Sequence, residues 1–335
     1  MFHGAKVEVS FFVGKDMRPL IIGRLSEPNN IGGVVIFVSR LLASSKYLNA
    51  NEYVFYSTKE RNPIRLISLI YRSSFVHFNG SNPLAMFLIS TICMFFRKKL
   101  ILSIHAQVGI SSRFLNLLES FAIRLAHTPV VGVGSIKKAS KLNHGSVIIS
   151  SFIEPKVTED VVVDEVFSSL KDKIVFCTNA NSLAFDHNGD EIYGISYLVD
   201  YFSHQHDSVL IVLDTSGAYS KKFKNQLTPN IIFINRDIDF CYLLQKSNCF
   251  IRFTSTDGDS VSVMESLFLN IPVIASDCII RHEACILCQF GNLASLDIAI
   301  KKFKNGDVQV TSVESAEKYY DALYEEVSPL NCVIE

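Results

Sequence analysis

Residues 250–277 read FIRFTSTDGDSVSVMESLFLNIPVIASD. The short apolar run Phe250–Phe253 predicts a strand, and the polar stretch after it, with Gly258, predicts a turn. Apolar residues then recur at helical spacing from Ser260 to Leu269, and Pro272–Ala275 predicts a second strand. Strand, turn, helix and strand make a βαβ unit, whose turn lies at the carboxyl edge of a parallel sheet. The first N–H groups of a helix have no partner within it and carry partial positive charge, so this turn suits a phosphate. Asp257 stands at the helix mouth, and Glu265 follows about two turns along. The plainer reading is a capped helix, with Asp259 or Ser260 as the cap and Glu265 on its solvent face.

The same alternation runs through the chain, which predicts an α/β protein of stacked βαβ units. In the first half, strands are expected at Pro19–Leu25, Tyr53–Ser57, Phe75–Phe78, Leu100–His105, Pro129–Val133 and Ser146–Ile149. Helices are expected at Val34–Ser44, Pro63–Arg72, Ser111–Ala126 and Ser135–Leu142. Ser150 to Asp164 breaks the rhythm. Beyond it strands are expected at Lys173–Cys177, Ser208–Leu213, Ile231–Ile234, Cys249–Phe253 and Pro272–Ala275. Helices are expected at Ile192–His204, Asp239–Lys246, Ser260–Leu269 and Ser295–Phe303, with a last one at Glu314–Glu326. Residues 1–155 and 156–312 are therefore expected to form two doubly wound domains, with 313–335 as a terminal helix and tail.

The length of 335 residues agrees with two domains at ~150 residues each. With 48% hydrophobic and 19% charged residues and 25 Phe, a disordered or collagen-like chain is excluded. The net charge of −1 hides a division. Residues 1–155 hold 18 Lys and Arg against 7 Asp and Glu, a net of +11; the remainder holds 14 against 26, a net of −12. No basic stripe is interleaved with aromatics, so nucleic acid is not expected as a partner. An anionic membrane face or a lipid phosphate fits the basic, more apolar half.

No run reaches the ~18 apolar residues of a membrane span. The longest, Pro83 to Phe96, ends at Arg97-Lys98-Lys99 and reads as a buried helix of an α/β sheet. The N-terminal MFHGAKVEVS has no secretory pattern, so a cytoplasmic chain is expected, peripheral on the inner membrane face. All eight cysteines, including the Cys285–Cys288 pair, read as small core residues rather than zinc ligands.

Residues 250–277 resemble the E-x7-E region of the family 4 retaining glycosyltransferases, in which an acid, a Gly and a few further residues precede a helix containing Glu. Asn270 to Asp277 resembles that family's G-x-P-V-I-A-S strand. Gly32-Gly33 before a helix is similar to its N-terminal glycine-rich loop, Ser103-Ile-His105 to its strand ending in His, and Gly291 to Lys302 to its closing loop and helix. The resemblance implies a GT-B architecture of two facing Rossmann-like domains. It also implies transfer of a hexosyl unit from a nucleotide-sugar donor, with retention, as in the assembly of bacterial O-antigen, capsule or exopolysaccharide. Asp257 then stands where the first Glu contacts sugar hydroxyls, and Glu265 where the second holds the ribose. The backbone amides of Asp259, Ser260 and Val261 face the diphosphate, and His105 approaches the sugar from the other domain. His77 is a second candidate for that role. No cofactor or metal is implied beyond the donor itself.

Two departures stand out. The first acid is Asp, shorter by one methylene. The family's diphosphate-clamping Arg and Lys are missing: the chain has Cys177-Thr-Asn-Ala-Asn181 and Tyr193-Gly194 in their places. Arg252 and Arg281 are the candidate replacements. A non-catalytic nucleotide-binding subunit is therefore an open alternative. So is a metal-dependent transferase using Asp257-Gly-Asp259 as a D-x-D motif. Asp186 to Asp190 begins like a calcium loop but lacks its Gly and its final Glu, and reads as a polar loop.

Overall fold

The computed structural model describes residues 18–26, 32–170, 172–226, 228–309, 311 and 313–328. The first half runs β1 (Leu20–Gly23), α1 (Gly33–Ser44), α2 (Lys46–Asn51), β2 (Val54–Ser57), α3 (Pro63–Arg72), β3 (Val76–Asn79), α4 (Pro83–Phe95), β4 (Leu100–Ile104), α5 (Arg113–Leu125), β5 (Thr128–Val131), α6 (Ile136–Leu142) and β6 (Val147–Ile148). Its strands form one parallel sheet in the order β2-β1-β3-β4-β5-β6. The second half runs α7 (Val161–Ser168), β7 (Ile174–Ala180), α8 (Ile195–Ser203), β8 (Ser208–Asp214), α9 (Ala218–Phe223), β9 (Ile231–Ile234), α10 (Phe240–Lys246), β10 (Cys249–Arg252), α11 (Val261–Phe268), β11 (Val273–Ser276), β12 (Ile286–Cys288) and α12 (Leu293–Lys304). This second parallel sheet has the order β12-β11-β10-β7-β8-β9.

Each sheet is covered on both faces, as the nearly unbroken apolar strands require. In the first, α3 to α6 pack on one face around Phe78, Met86, Leu102 and Ile123. The other face takes α1, α2 and a final helix, α13 (Glu317–Val327), which returns from the end of the chain. Tyr320, Leu323, Tyr324 and Val327 of α13 are buried against Phe37, Leu41 and Phe75. Burying one such side chain is worth about 1.5–3 kcal/mol, so α13 completes the first domain's core. Asp321 on α13 also accepts hydrogen bonds from Ser45 Oγ and the Lys46 N–H, fixing the start of α2.

His77 belongs to this core. It is wholly buried, with Nδ1 2.7 Å from Tyr324 Oη and Nε2 2.8 Å from Ser103 Oγ. Burial, helped by nearby His105, lowers its pKa to about 3. Both ring nitrogens are used inside the fold, which removes His77 as a site candidate.

The expected strands and helices are all present, with shifted ends. α8 starts at Ile195 rather than Ile192 because Gly194 takes φ +59°. A Cβ there would collide with the Phe253 carbonyl oxygen. β7 extends past Cys177 to Ala180, which carries Asn179 to the sheet edge. The sequence pattern did not reveal β12, α2, α7 or α9. β12 is a three-residue edge strand, and α2 and α9 have six residues each. In α7 the run Val161-Val-Val163 suggests strand, yet the Asp160 side chain caps a helix by accepting from Val162 and Val163 N–H.

α4 is buried on one side only: Leu84, Leu88, Met94 and Phe95 are exposed. Six of the described cysteines are buried, while Cys278 is half-exposed; Cys332 lies outside the described residues. Asp186 accepts from the N–H groups of Asn188 and Asp190 and closes its loop on itself. Among the described residues, no helix is long and apolar enough to cross a membrane.

Candidate active site

The carboxyl ends of the two sheets face each other across a cleft of about 260 Å³. Two helix N-termini open into it. α1 begins at Gly33, directly after Gly32, and α11 begins at Val261. They sit close together, for a Cβ on Gly33 would stand 3.6 Å from Val261 Cγ2. Neither helix has a side-chain cap at this end or an acidic residue in its first turn. Among the described residues, no acceptor pairs with the N–H groups of Gly33 and Val34, or with those of Asp259, Ser260, Val261 and Ser262. Two positive helix ends with free donors thus converge on one space, an arrangement that binds anions.

Glu265 lines the deep end of the cleft and is 2% exposed, so it does not lie on a solvent face. Its Oε1 stands 2.6 Å from Nη1 of Arg40, on α1 of the other domain. Burial raises the carboxyl above its ordinary value, with Arg40 and the Cys241 thiol pulling the other way. Arg40 also donates to the Ile153 carbonyl at 3.2 Å, tying it to the segment between the sheets.

Asp257 is also buried, between two arginines. Arg252 Nε and Nη2 grip its two oxygens at 2.9 and 3.0 Å, and Arg281 Nη1 adds a third contact of 2.8 Å. Burial opposes the charge, but Arg252 and then Arg281 outweigh it and hold the carboxyl below its ordinary value. Both candidate clamp residues are therefore bound to a carboxylate. Arg252 still borders the cleft, donates to Asn179 Oδ1 at 3.2 Å and lies over the Tyr193 ring at 5.3 Å. Arg281 faces a second cavity of about 180 Å³ on the far side of Gly258, and its other donors go to the Ser276 carbonyl and Thr254 Oγ1.

His105, at the end of β4, borders both cavities. Its Nδ1 lies 3.0 Å from Ser151 Oγ, while Nε2 is buried without a protein partner among the described residues. Burial lowers its pKa to about 4, so the ring is neutral near pH 7 and offers Nε2 for a single hydrogen bond. Gly258 presses on the same segment, and any Cβ there would strike the His105 carbonyl oxygen. Only glycine allows the two domains to meet this closely. Asp259 turns the other way: its Oδ2 accepts from Ser151 N–H at 2.7 Å and Ser150 Oγ at 3.0 Å. Asp257 and Asp259 are thus committed to separate partners. Among the described residues, no group of three or more His, Cys, Asp or Glu is placed to hold a metal ion.

The remaining walls include Leu213, Thr215, Ile238, Phe240, Asn179, Asn181 and Tyr193, with Asn179 and Leu213 side by side at the ends of β7 and β8. Of the residues not singled out from sequence, Arg40 and Asn179 matter most. Arg40 did leave a signal: it is the one charge within the apolar helix GVVIFVSRLLAS.

No family model and no curated protein matches the chain. Solved structures match by fold. HepE (Alr3699) of Anabaena in complex with UDP is 12% identical with a TM-score of 0.66, covering 94% of this chain and 97% of that one. Sucrose-phosphate synthase of Thermosynechococcus elongatus is 12% identical with a TM-score of 0.60, covering 94% and 96%. A glycosyltransferase of Rickettsia africae is 13% identical with a TM-score of 0.60, covering 94% and 95%. At such identities the likeness speaks for fold alone, and the chain has the GT-B fold: two Rossmann-like domains facing each other across a cleft.

Proposed function

We propose that this chain is a retaining hexosyltransferase that moves a sugar from a nucleotide-sugar donor to an acceptor hydroxyl. The observation that carries this reading is the pair of uncapped helix N-termini, α1 and α11, opening into one cleft with six N–H groups unpaired among the described residues. The donor diphosphate lies against the amides of Asp259 to Ser262, with Gly32 and Gly33 opposite. The nucleoside occupies the end walled by Ile238 and Phe240, with its ribose toward Glu265. The sugar then reaches Asp257 and His105 Nε2. In the reaction the bond from the anomeric carbon to the diphosphate oxygen breaks, one to the acceptor oxygen forms, and the acceptor hydroxyl's proton passes to the departing diphosphate. Helix ends and Arg252 stabilise the charge that develops on the leaving group. HepE has been solved with UDP and with UDP-glucose, which supports a nucleotide-sugar donor for the shared fold.

The separate commitments of Asp257 and Asp259 support a reaction that needs no metal. The second cavity, with Val133, Ile148 and Ile280 among its lining, gives an apolar-bodied acceptor a place on the other side of Gly258. That supports a lipid-linked glycan as acceptor, in O-antigen, capsule or exopolysaccharide assembly. The +11 charge of residues 1–155 supports work on the inner, anionic face of a cytoplasmic membrane. One observation favours a non-catalytic nucleotide-binding subunit instead: Arg252 and Arg281 are both bound to Asp257. Incubation with a panel of nucleotide sugars and lipid-linked acceptors in excess EDTA separates these readings. Release of nucleoside diphosphate with an α-configured product from an α-linked donor supports the transferase. Saturable binding without turnover supports the non-catalytic subunit, and turnover only with added manganese or magnesium supports the D-x-D reading.

A further inference from the structure

The outward faces of α3, α4 and α5 are apolar where a helix lying over a sheet ordinarily shows water a polar stripe. Their inward stripes are buried, through Ile70 on α3, Met86, Ile89 and Cys93 on α4, and Ala122 and Ile123 on α5. A second apolar stripe then repeats at helical spacing on the outside of each: Ile64, Ile67 and Tyr71; Leu84, Leu88 and Phe95; Phe114, Leu117 and Phe121, all exposed. Phe95 is 77%, Ile64 74% and Phe114 66% exposed. The stripes join into one face. The Tyr71 ring lies 5.4 Å from Phe96, Phe96 lies 5.1 Å from Phe95, and Phe87 lies 6.3 Å from Phe121. Single exposed apolar residues are ordinary, but nine on three neighbouring helices mark an interaction surface.

The charges around this face say what covers it. Residues 59–126 contain nine Lys and Arg against two Asp and Glu. Both acids are occupied: Glu60 pairs with Arg65, and Glu119 is buried, accepting from the Gly109 N–H at 2.8 Å. Arg61, Arg97, Arg113 and Arg124 are exposed near the helix ends. Apolar side chains rimmed by cations fit an anionic lipid bilayer, where the former enter the headgroup boundary and the latter meet lipid phosphates. A second copy docking through the same face would set one cationic rim against another, with Glu60 and Glu119 already occupied, and like charges would repel.

We propose that the α3–α4–α5 face is the membrane-docking surface, with Ile64, Phe95 and Phe114 entering an anionic bilayer. The segment from His105 in the cleft reaches exposed Ile110 and then α5, so docking in this way sets the His105 side of the cleft toward the lipid. The inference rests on the peripheral-membrane part of the function proposed above, and is independent of the donor chemistry.

The chain has no Trp, so a single introduced one is an unambiguous reporter. Phe95→Trp and Phe114→Trp are mixed with vesicles of phosphatidylcholine alone or with phosphatidylglycerol. Ile298→Trp, exposed on α12 of the other domain, is the control. Expected are blue-shifted emission and quenching by brominated lipid for the first two with anionic vesicles only, and neither change for the control. The triple variant Ile64→Ser, Phe95→Ser, Phe114→Ser should lose about tenfold in vesicle partitioning with an unchanged melting curve. Cosedimentation with both reporters unshifted would overturn this face while leaving the membrane reading in place. Absence of cosedimentation with either vesicle would overturn both. A dimer abolished by the triple variant, without vesicle binding, would assign the face to a second copy.

Discussion

Arg40 on α1 and Glu265 on α11 form a 2.6 Å ion pair that joins the two domains at the deep end of the cleft. The pair is largely desolvated, so removing one partner strands the other. Arg40→Met is expected to cost about 3–5 kcal/mol, and Arg40→Met with Glu265→Met to regain most of it. The Glu265 carboxyl is already raised, and protonation relieves a stranded charge. The cost of Arg40→Met should therefore shrink on going from about pH 7.5 to about pH 5. Urea denaturation at the two pH values measures both effects. A single variant costing less than the double would contradict the assignment.

Asp257 neutralises Arg252 and Arg281, so it competes with any bound anion for them. Asp257→Asn should destabilise the protein by roughly 3 kcal/mol while freeing two guanidinium groups. Pyrophosphate should then raise the melting temperature of the variant more than that of the parent. Equal shifts would mean that the arginines do not reach the anion site.

His77 sets an acid limb on stability. Burial favours its neutral ring and lowers its pKa to about 3 in the fold, against 6.5 for an exposed imidazole. The unfolded chain thus takes up the proton first. Stability is full above about pH 6.5 and falls as the pH drops toward 3, at about 1.4 kcal/mol per pH unit for this one group. His77→Asn should flatten the dependence between about pH 6 and 4 by that amount. Denaturation midpoints across this range check it, and an unchanged slope would remove His77 as the cause.

Much of the fold was legible because both sheets are built of short apolar strands separated by helices of regular period. The α11 turn was legible for the same reason: strand, glycine turn and helix occur in twenty consecutive residues. What could not be read were relations between distant segments. The helix pattern alone leaves Glu265 free to lie on a solvent face, and its burial becomes visible only with Arg40, 225 positions earlier, beside it. His77 and His105 look alike in sequence, each ending or lying in a β-strand pattern. Only the return of α13, with Tyr324, assigns the first to the core, while the second keeps a buried Nε2 with no partner among the described residues. The pairing of Arg252 and Arg281 with Asp257 depends on a turn that folds back on its own strand.

In the proposed reaction the N-terminus of α11 holds the diphosphate of a nucleotide sugar, and Val261→Pro removes one of its donors. Val261 is the first residue of the helix, where proline is tolerated, and Ser260 before it is already extended at φ −70° and ψ 104°. The substitution removes one N–H that faces the cleft and leaves the helix in place. Calorimetric titration of nucleoside diphosphates in excess EDTA should show one that binds the parent with unit stoichiometry. The folded variant should bind it about tenfold more weakly, a loss of about 1.4 kcal/mol. Equal affinity for the parent and Val261→Pro, or binding that appears only with a divalent metal, would mean that the N-terminus of α11 does not hold the diphosphate.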